Sequence, residues 1–174
     1  MLAARSSKRG EFRLASGRTS DFYVDARLTT MSAGGLALVG QVGLSRIRDA
    51  FPRARTVGGL TLGADPIAYA IALTSAGAPP ELQAFTVRKE AKGHGTGRLV
   101  EGPIQPGDVA VVVEDVVTSG GSALRAIAAL RGFGAEVAGV LALVDRQEGG
   151  KEAIEATGIP VIALVGRADI MRLI

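Results

Sequence analysis

Residues 108–130 read DVAVVVEDVVTSGGSALRAIAAL. Five apolar residues, Val109 to Val113, form a run short enough for a buried strand, and the acidic pair Glu114 and Asp115 falls where that strand is expected to end. Val116, Val117, Thr118, Ser119, Gly120, Gly121 and Ser122 follow, and a helix-forming stretch begins at once after them. Strand, acidic pair, small-residue loop and helix therefore come in that order.

The same rhythm extends through the rest of the chain. Runs rich in Val, Ile and Leu alternate with Ala-rich stretches of helical spacing, which is the signature of an α/β fold with a central, mostly parallel sheet flanked by helices. The pattern predicts strands near 55–60, 82–87, 109–114, 136–144 and 160–165, and helices near 33–50, 65–76, 121–132 and 149–157. Gly77, Gly134 and Gly158 stand where C-terminal caps are expected. Two stretches break the rhythm. GEFRLASGRTSDFYVDAR, from Gly10, places a Ser-Gly turn between two short alternating segments and predicts a hairpin or flap outside the main sheet. KEAKGHGTGRLVEGPIQPGD, Lys89 to Asp108, is rich in Gly and Pro and poor in apolar anchors, so it is expected to be a long loop with a functional role.

Each part of the central segment has a chemical use. Thr, Ser and Gly at a helix N-terminus offer unpaired backbone N–H groups, hydroxyls and the positive end of the helix dipole, which suits a phosphate monoester. Carboxylates held just before that loop by a buried strand can accept hydrogen bonds from vicinal hydroxyls such as those of ribose. Taken alone, TSGGS reads equally well as an N-cap and turn or as a phosphate loop; with the acidic pair and the Val run it describes a sugar phosphate. The segment matches neither GxxxxGK[ST] nor a GxGxxG set between strand and helix, and Gly93-His94-Gly95-Thr96-Gly97 follows charged residues and opens no apolar helix.

VVVEDVVTSGGS resembles the motif of the type I phosphoribosyltransferases that binds phosphoribosyl pyrophosphate (PRPP). GEFRLASGRTSDFYVDAR, FTVRKEAKGHGTGRLVEG, LVDRQEGG and GGLTLGADPIA resemble the corresponding stretches of the orotate phosphoribosyltransferases, and together they span almost the whole chain. The resemblance implies one phosphoribosyltransferase domain over 1–174, with a hood at 1–32 and a core at 33–174 that carries a mobile catalytic loop at 88–103. It implies that Glu114 and Asp115 contact the ribose hydroxyls, that the turn from Val116 and Val117 through Thr118, Ser119, Gly120, Gly121 and Ser122 cradles the 5-phosphate, and that Arg88, Lys89, Lys92 and His94 engage pyrophosphate. Lys89, Lys92 and His94 are the expected catalytic set, with Thr118 and Arg146 at the orotate. It further implies Mg²⁺ carried on substrate oxygens and a cytoplasmic homodimer whose catalytic loop is shared between subunits. Many bacterial members have lysines where this chain has Ala15 and Gly63, so those two positions are given no role; Arg18, Arg27 and Asp65 are the neighbours that could compensate.

Composition narrows the rivals. The 174 residues suit one core, and the absence of cysteine removes disulfide frameworks, thiolate metal sites and cysteine nucleophiles. A single histidine, His94, excludes any site that needs two. Net charge is +3 with no Trp, two Tyr and five Phe, so a nucleic-acid surface with stacking platforms is not expected. No apolar run approaches the roughly 20 residues of a membrane helix, and no signal peptide is expected at the start. The alternatives are a purine or uracil phosphoribosyltransferase, which shares the sugar-phosphate segment, and a non-catalytic PRPP-binding regulator.

Overall fold

The computed structural model describes residues 1–13, 19–90 and 98–174. After a helical turn at Leu2–Ser6, β1 (Ser7–Arg13) and β2 (Thr19–Val24) pair antiparallel as a separate two-stranded sheet. The expected hairpin outside the main sheet is therefore present, although its Ser-Gly turn lies outside the described residues. A short helix α1 (Arg27–Thr30) leads into α2 (Ala33–Ala50), whose N-cap Ser32 accepts a hydrogen bond from the N–H of Gly35 at 3.2 Å.

The main sheet is built from β3 (Thr56–Leu60), β4 (Gln83–Val87), β5 (Val100–Glu101), β6 (Val109–Val117), β7 (Glu136–Asp145) and β8 (Val161–Gly166). Their spatial order is β5-β4-β3-β6-β7-β8, with every pairing parallel except β4 with β5. Helices α3 (Ala64–Ser75), α4 (Gly121–Phe133) and α5 (Gly150–Glu155) make the crossovers, and α6 (Arg167–Met171) follows β8. The sheet is buried on both faces, and the Val-rich runs are the reason. On β6, Val111 and Val113 belong to the core beneath α2 and α3, while Ala110 and Val112 belong to the core beneath α4. On β7, Leu141 and Leu143 take the first face and Val140 and Ala142 the second. Phe22 of β2, fully buried, inserts into the first core and so fastens the small sheet to the large one.

Two expectations are corrected. The acidic pair does not end the strand: β6 continues through it to Val117, because β7 offers a partner along its whole length, with Glu114 opposite Ala142 and Val117 opposite Asp145. The 89–108 stretch is not loop throughout, since Val100 is buried and pairs with Val87 as part of the short edge strand β5. α3 also starts at Ala64, at the head of the expected span, with Asp65 in its first turn.

Candidate active site

From β3 the chain steps outward to β4, and from β6 it steps the other way to β7 and β8. The sheet therefore reverses direction between β3 and β6, and in open parallel sheets the carboxyl ends of two such strands diverge to leave a crevice. A cleft of about 390 Å³ lies there. One wall is the turn after β3, Thr61 to Gly63; the other is the end of β6 with Glu114, Asp115, Val116, Thr118 and Ser122. Lys89 reaches in beyond the end of β4, Arg146 beyond the end of β7, and Tyr23, Asp25 and Arg27 from the β2–α1 segment cover the opening.

The phosphate-type turn is formed as the sequence requires. Gly120, the N-cap of α4, has φ +80°, and a Cβ there would stand 2.7 Å from the carbonyl oxygen of Gly150. Only glycine satisfies both conditions without strain. The helix that follows presents its first-turn N–H groups toward the loop. Thr118 and Ser122 line the cleft, whereas Val117 is buried in the core and Ser119, Gly120 and Gly121 build the turn behind the lining residues.

Glu114 is buried, and its Oε2 has no hydrogen-bond partner among the described residues. Burial first, then the charge and hydrogen bonding of Asp115, push its carboxyl up to about 8, against an opposing pull from Arg125. The carboxyl is consequently protonated at neutral pH in the free protein. An orphaned buried oxygen at the lip of a cleft is a ready partner for an incoming hydroxyl. Gly63 stands against the other acid: a Cβ at this position would lie 2.5 Å from the Asp115 carboxyl carbon, so no side chain fits there while Asp115 stays in place.

Arg146 is only 6% exposed, unlike a surface cation. Its Nε donates to Glu148 at 3.0 Å, and one terminal nitrogen donates to Ser20 Oγ at 3.0 Å and to the Phe22 carbonyl at 3.2 Å. The guanidinium also lies 5.8 Å from the Phe22 ring centre. Its fork is thereby held by Ser20 and Phe22 of β2 and by Glu148, at the wall of the cleft. Arg27 is clamped by Asp25 through Nε at 2.9 Å and a terminal nitrogen at 3.0 Å. That hydrogen-bonded pairing holds the Asp25 carboxyl below the usual range and raises the arginine.

Of the residues expected from the sequence, Lys89, Glu114, Asp115, Val116, Thr118, Ser122 and Arg146 meet in this one cleft. Arg88 sits beside it, in a neighbouring groove with Lys89, Arg98 and Arg125, and its guanidinium is 3.6 Å from Glu101. Lys92 and His94 lie outside the described residues, as do Ala15 and Arg18. Sequence reasoning assigned nothing to Tyr23, Asp25 or Arg125. The spacing Asp25-Ala26-Arg27, an acid and a base two apart at a helix start, was the available signal for the Asp25–Arg27 pair.

The family model for the phosphoribosyl transferase domain matches residues 57–158. The chain is 44% identical over 173 residues to an orotate phosphoribosyltransferase of Rhodopirellula baltica, covering 97% of this chain and 90% of the relative. Among solved structures, orotate phosphoribosyltransferase of Mycobacterium tuberculosis in complex with Fe(III) dicitrate superposes with a TM-score of 0.83 at 44% identity, covering 97% of this chain and 94% of that one. The same enzyme in complex with PRPP gives 0.74 at 41% identity, with 84% and 82% covered. The sheet reversal, the glycine-bent turn after the acidic pair and the likeness along nearly the whole chain agree: the chain belongs to the orotate phosphoribosyltransferase family of pentosyltransferases.

Proposed function

We propose that this cleft transfers the ribose 5-phosphate of PRPP to orotate, giving orotidine 5′-monophosphate and pyrophosphate, in pyrimidine biosynthesis. One observation supports this most: the Glu114–Ser122 turn and the buried Arg146 line the same 390 Å³ space, so a sugar phosphate on the turn has its anomeric carbon within the cleft that Arg146 faces. In this reading the first-turn N–H groups of α4, Thr118 and Ser122 take the 5-phosphate, and Glu114 and Asp115 take the ribose hydroxyls. Arg146 and Thr118 hold the orotate, the guanidinium pairing with its carboxylate. A ring nitrogen of orotate gives up its proton to solvent and forms the new bond to the anomeric carbon as the bond to pyrophosphate oxygen breaks, and the electron pair leaves with pyrophosphate. No protein nucleophile is needed. Arg88 and Lys89, and beyond the described residues Lys92 and His94, answer the charge that grows on the leaving group, which favours the transition state over the ground state.

Mg²⁺ suits this site as an ion carried on polyphosphate. Among the described residues no three acidic, His or Cys side chains converge, while the adjacent Asp115 and Glu114, the latter giving up its proton as the cation binds, would provide the few carboxylates such an ion requires. Bound there, it would offset negative charge on the pyrophosphate. We also read residues 1–32 as a hood over the core and 88–103 as a catalytic loop of one 174-residue domain. A homodimer is consistent with exposed Leu28, Met31 and Leu62 beside Arg27 at the rim of the cleft, an apolar edge that a second copy would cover. No helix among the described residues is long and apolar enough to cross a membrane.

The test is conversion of orotate by the purified protein with PRPP and magnesium, followed as loss of orotate absorbance. Orotate consumption with equimolar release of pyrophosphate is expected. Unchanged orotate, with PRPP consumed instead in the presence of hypoxanthine or uracil, would contradict the proposal.

A further inference from the structure

Asp65 lies in the first turn of α3, 8% exposed, and both of its carboxylate oxygens accept hydrogen bonds from hydroxyls. Thr61 Oγ1 donates to one oxygen at 2.7 Å, and Thr86 Oγ1 donates to the other at 2.9 Å. A threonine hydroxyl has one proton, and that of Thr86 is spent on Asp65. The 2.9 Å contact between Thr86 Oγ1 and the Tyr69 hydroxyl is therefore a bond that Tyr69 donates. The chain Tyr69→Thr86→Asp65←Thr61 joins the turn after β3 and the first turns of α3 to β4.

Its two inner ends are what matter. Thr61 begins the turn that forms one wall of the cleft, opposite Glu114 and Asp115. Thr86 is on β4, three residues before Lys89, which enters the same cleft. Backbone bonds run alongside: the Thr61 N–H donates to the Val87 carbonyl at 2.9 Å, and the Asp65 N–H donates to the Leu62 carbonyl at 3.2 Å. A carboxylate in the first turn of a helix is also favoured by the helix dipole.

We propose that Asp65 is a positioning residue for the pyrophosphate end of the substrate. It fixes the Thr61–Gly63 turn relative to the end of β4, so that the backbone of the turn and the Lys89 cation stay correctly spaced. This rests on the reading of the cleft as the PRPP site. Arg146 at the other end is held by a separate set of bonds, to Ser20, Phe22 and Glu148, so loosening the Asp65 network should leave orotate binding alone.

The experiment measures KM for each substrate, kcat and thermal midpoint in Asp65→Ala, Asp65→Asn and Thr61→Val. Loss of hydrogen bonds to a charged group is expected to raise KM for PRPP about 10-fold or more in Asp65→Ala, with KM for orotate within about 2-fold of wild type. Asp65→Asn, which keeps shape and one acceptor, should recover most of that loss. Thr61→Val should raise KM for PRPP several-fold, roughly the effect of one bond, and serves if Asp65→Ala does not fold. Equal increases in both KM values, or a lowered thermal midpoint with KM for PRPP unchanged in Thr61→Val, would overturn the proposal. A wild-type protein inactive on PRPP and orotate would instead overturn the reading of the site.

Discussion

Arg146 shows what a single residue can and cannot reveal in sequence. On composition alone it is an arginine after a strand, most simply a surface charge; only its likeness to a family motif suggested more. It is buried because its partners Ser20 and Phe22 come from 126 and 124 residues away, a pairing that no local pattern encodes. Ser20→Ala removes one acceptor from the guanidinium and is expected to raise KM for orotate by roughly 3- to 10-fold, the effect of one hydrogen bond, with KM for PRPP unchanged in steady-state assays. Glu114 was legible as a site residue, but its protonation was not, since that follows from burial beside Asp115. Its folded value of about 8 lies above the ordinary glutamate value of 4.5, so the folded state holds the proton more tightly than the unfolded chain. That contribution to stability is fully present below about 4.5 and is lost as pH rises through about 8. Between pH 6 and 9 the thermal midpoint of the unliganded wild type should therefore fall more than that of Glu114→Gln, as scanning calorimetry would show; parallel curves would refute the assignment.

At the scale of elements, most of the fold was readable because the periods were clean. Helix α2 occupies the expected 33–50, and the five strands read from the Val, Ile and Leu runs are all present. What was missed depended on a neighbouring strand. β6 extends past its acidic pair because β7 pairs with it as far as Val117, and β5 exists because Val100 finds Val87; hydrogen-bonded partners, rather than local composition, set those boundaries. The β6–α4 turn was legible down to its glycines. Gly120→Ala must carry a side chain at φ +80° and 2.7 Å from the Gly150 carbonyl. It is expected to cost about 1–3 kcal/mol in urea unfolding and to weaken PRPP binding, whereas Gly132→Ala, with open space at its Cβ, should do neither.

For the whole molecule, the decisive feature is the reversal of the sheet between β3 and β6, which brings together segments as distant as Tyr23, Gly63, Lys89, Asp115 and Arg146. The alternation of strands and helices predicted a parallel sheet, but the strand order, and with it the position of the cleft, had to come from the three-dimensional pairing. If the part of the catalytic loop beyond Lys89 is shared across a homodimer, mixing inactive Lys92→Ala with inactive Arg146→Ala should restore activity toward about a quarter of wild type, because half of the exchanged dimers contain one intact site. No recovery after subunit exchange would place each site within one chain. The central claim is that one cleft holds the sugar phosphate on the Glu114–Ser122 turn and reads the base by its carboxylate through Arg146. Orotate and uracil differ by that carboxylate, so the ratio of their kcat/KM values at saturating PRPP tests the claim most directly. Wild type should prefer orotate by at least about 100-fold, and Arg146→Ala should bring the ratio close to one. Equal use of uracil by the wild type, or a preference for orotate that survives Arg146→Ala, would contradict it.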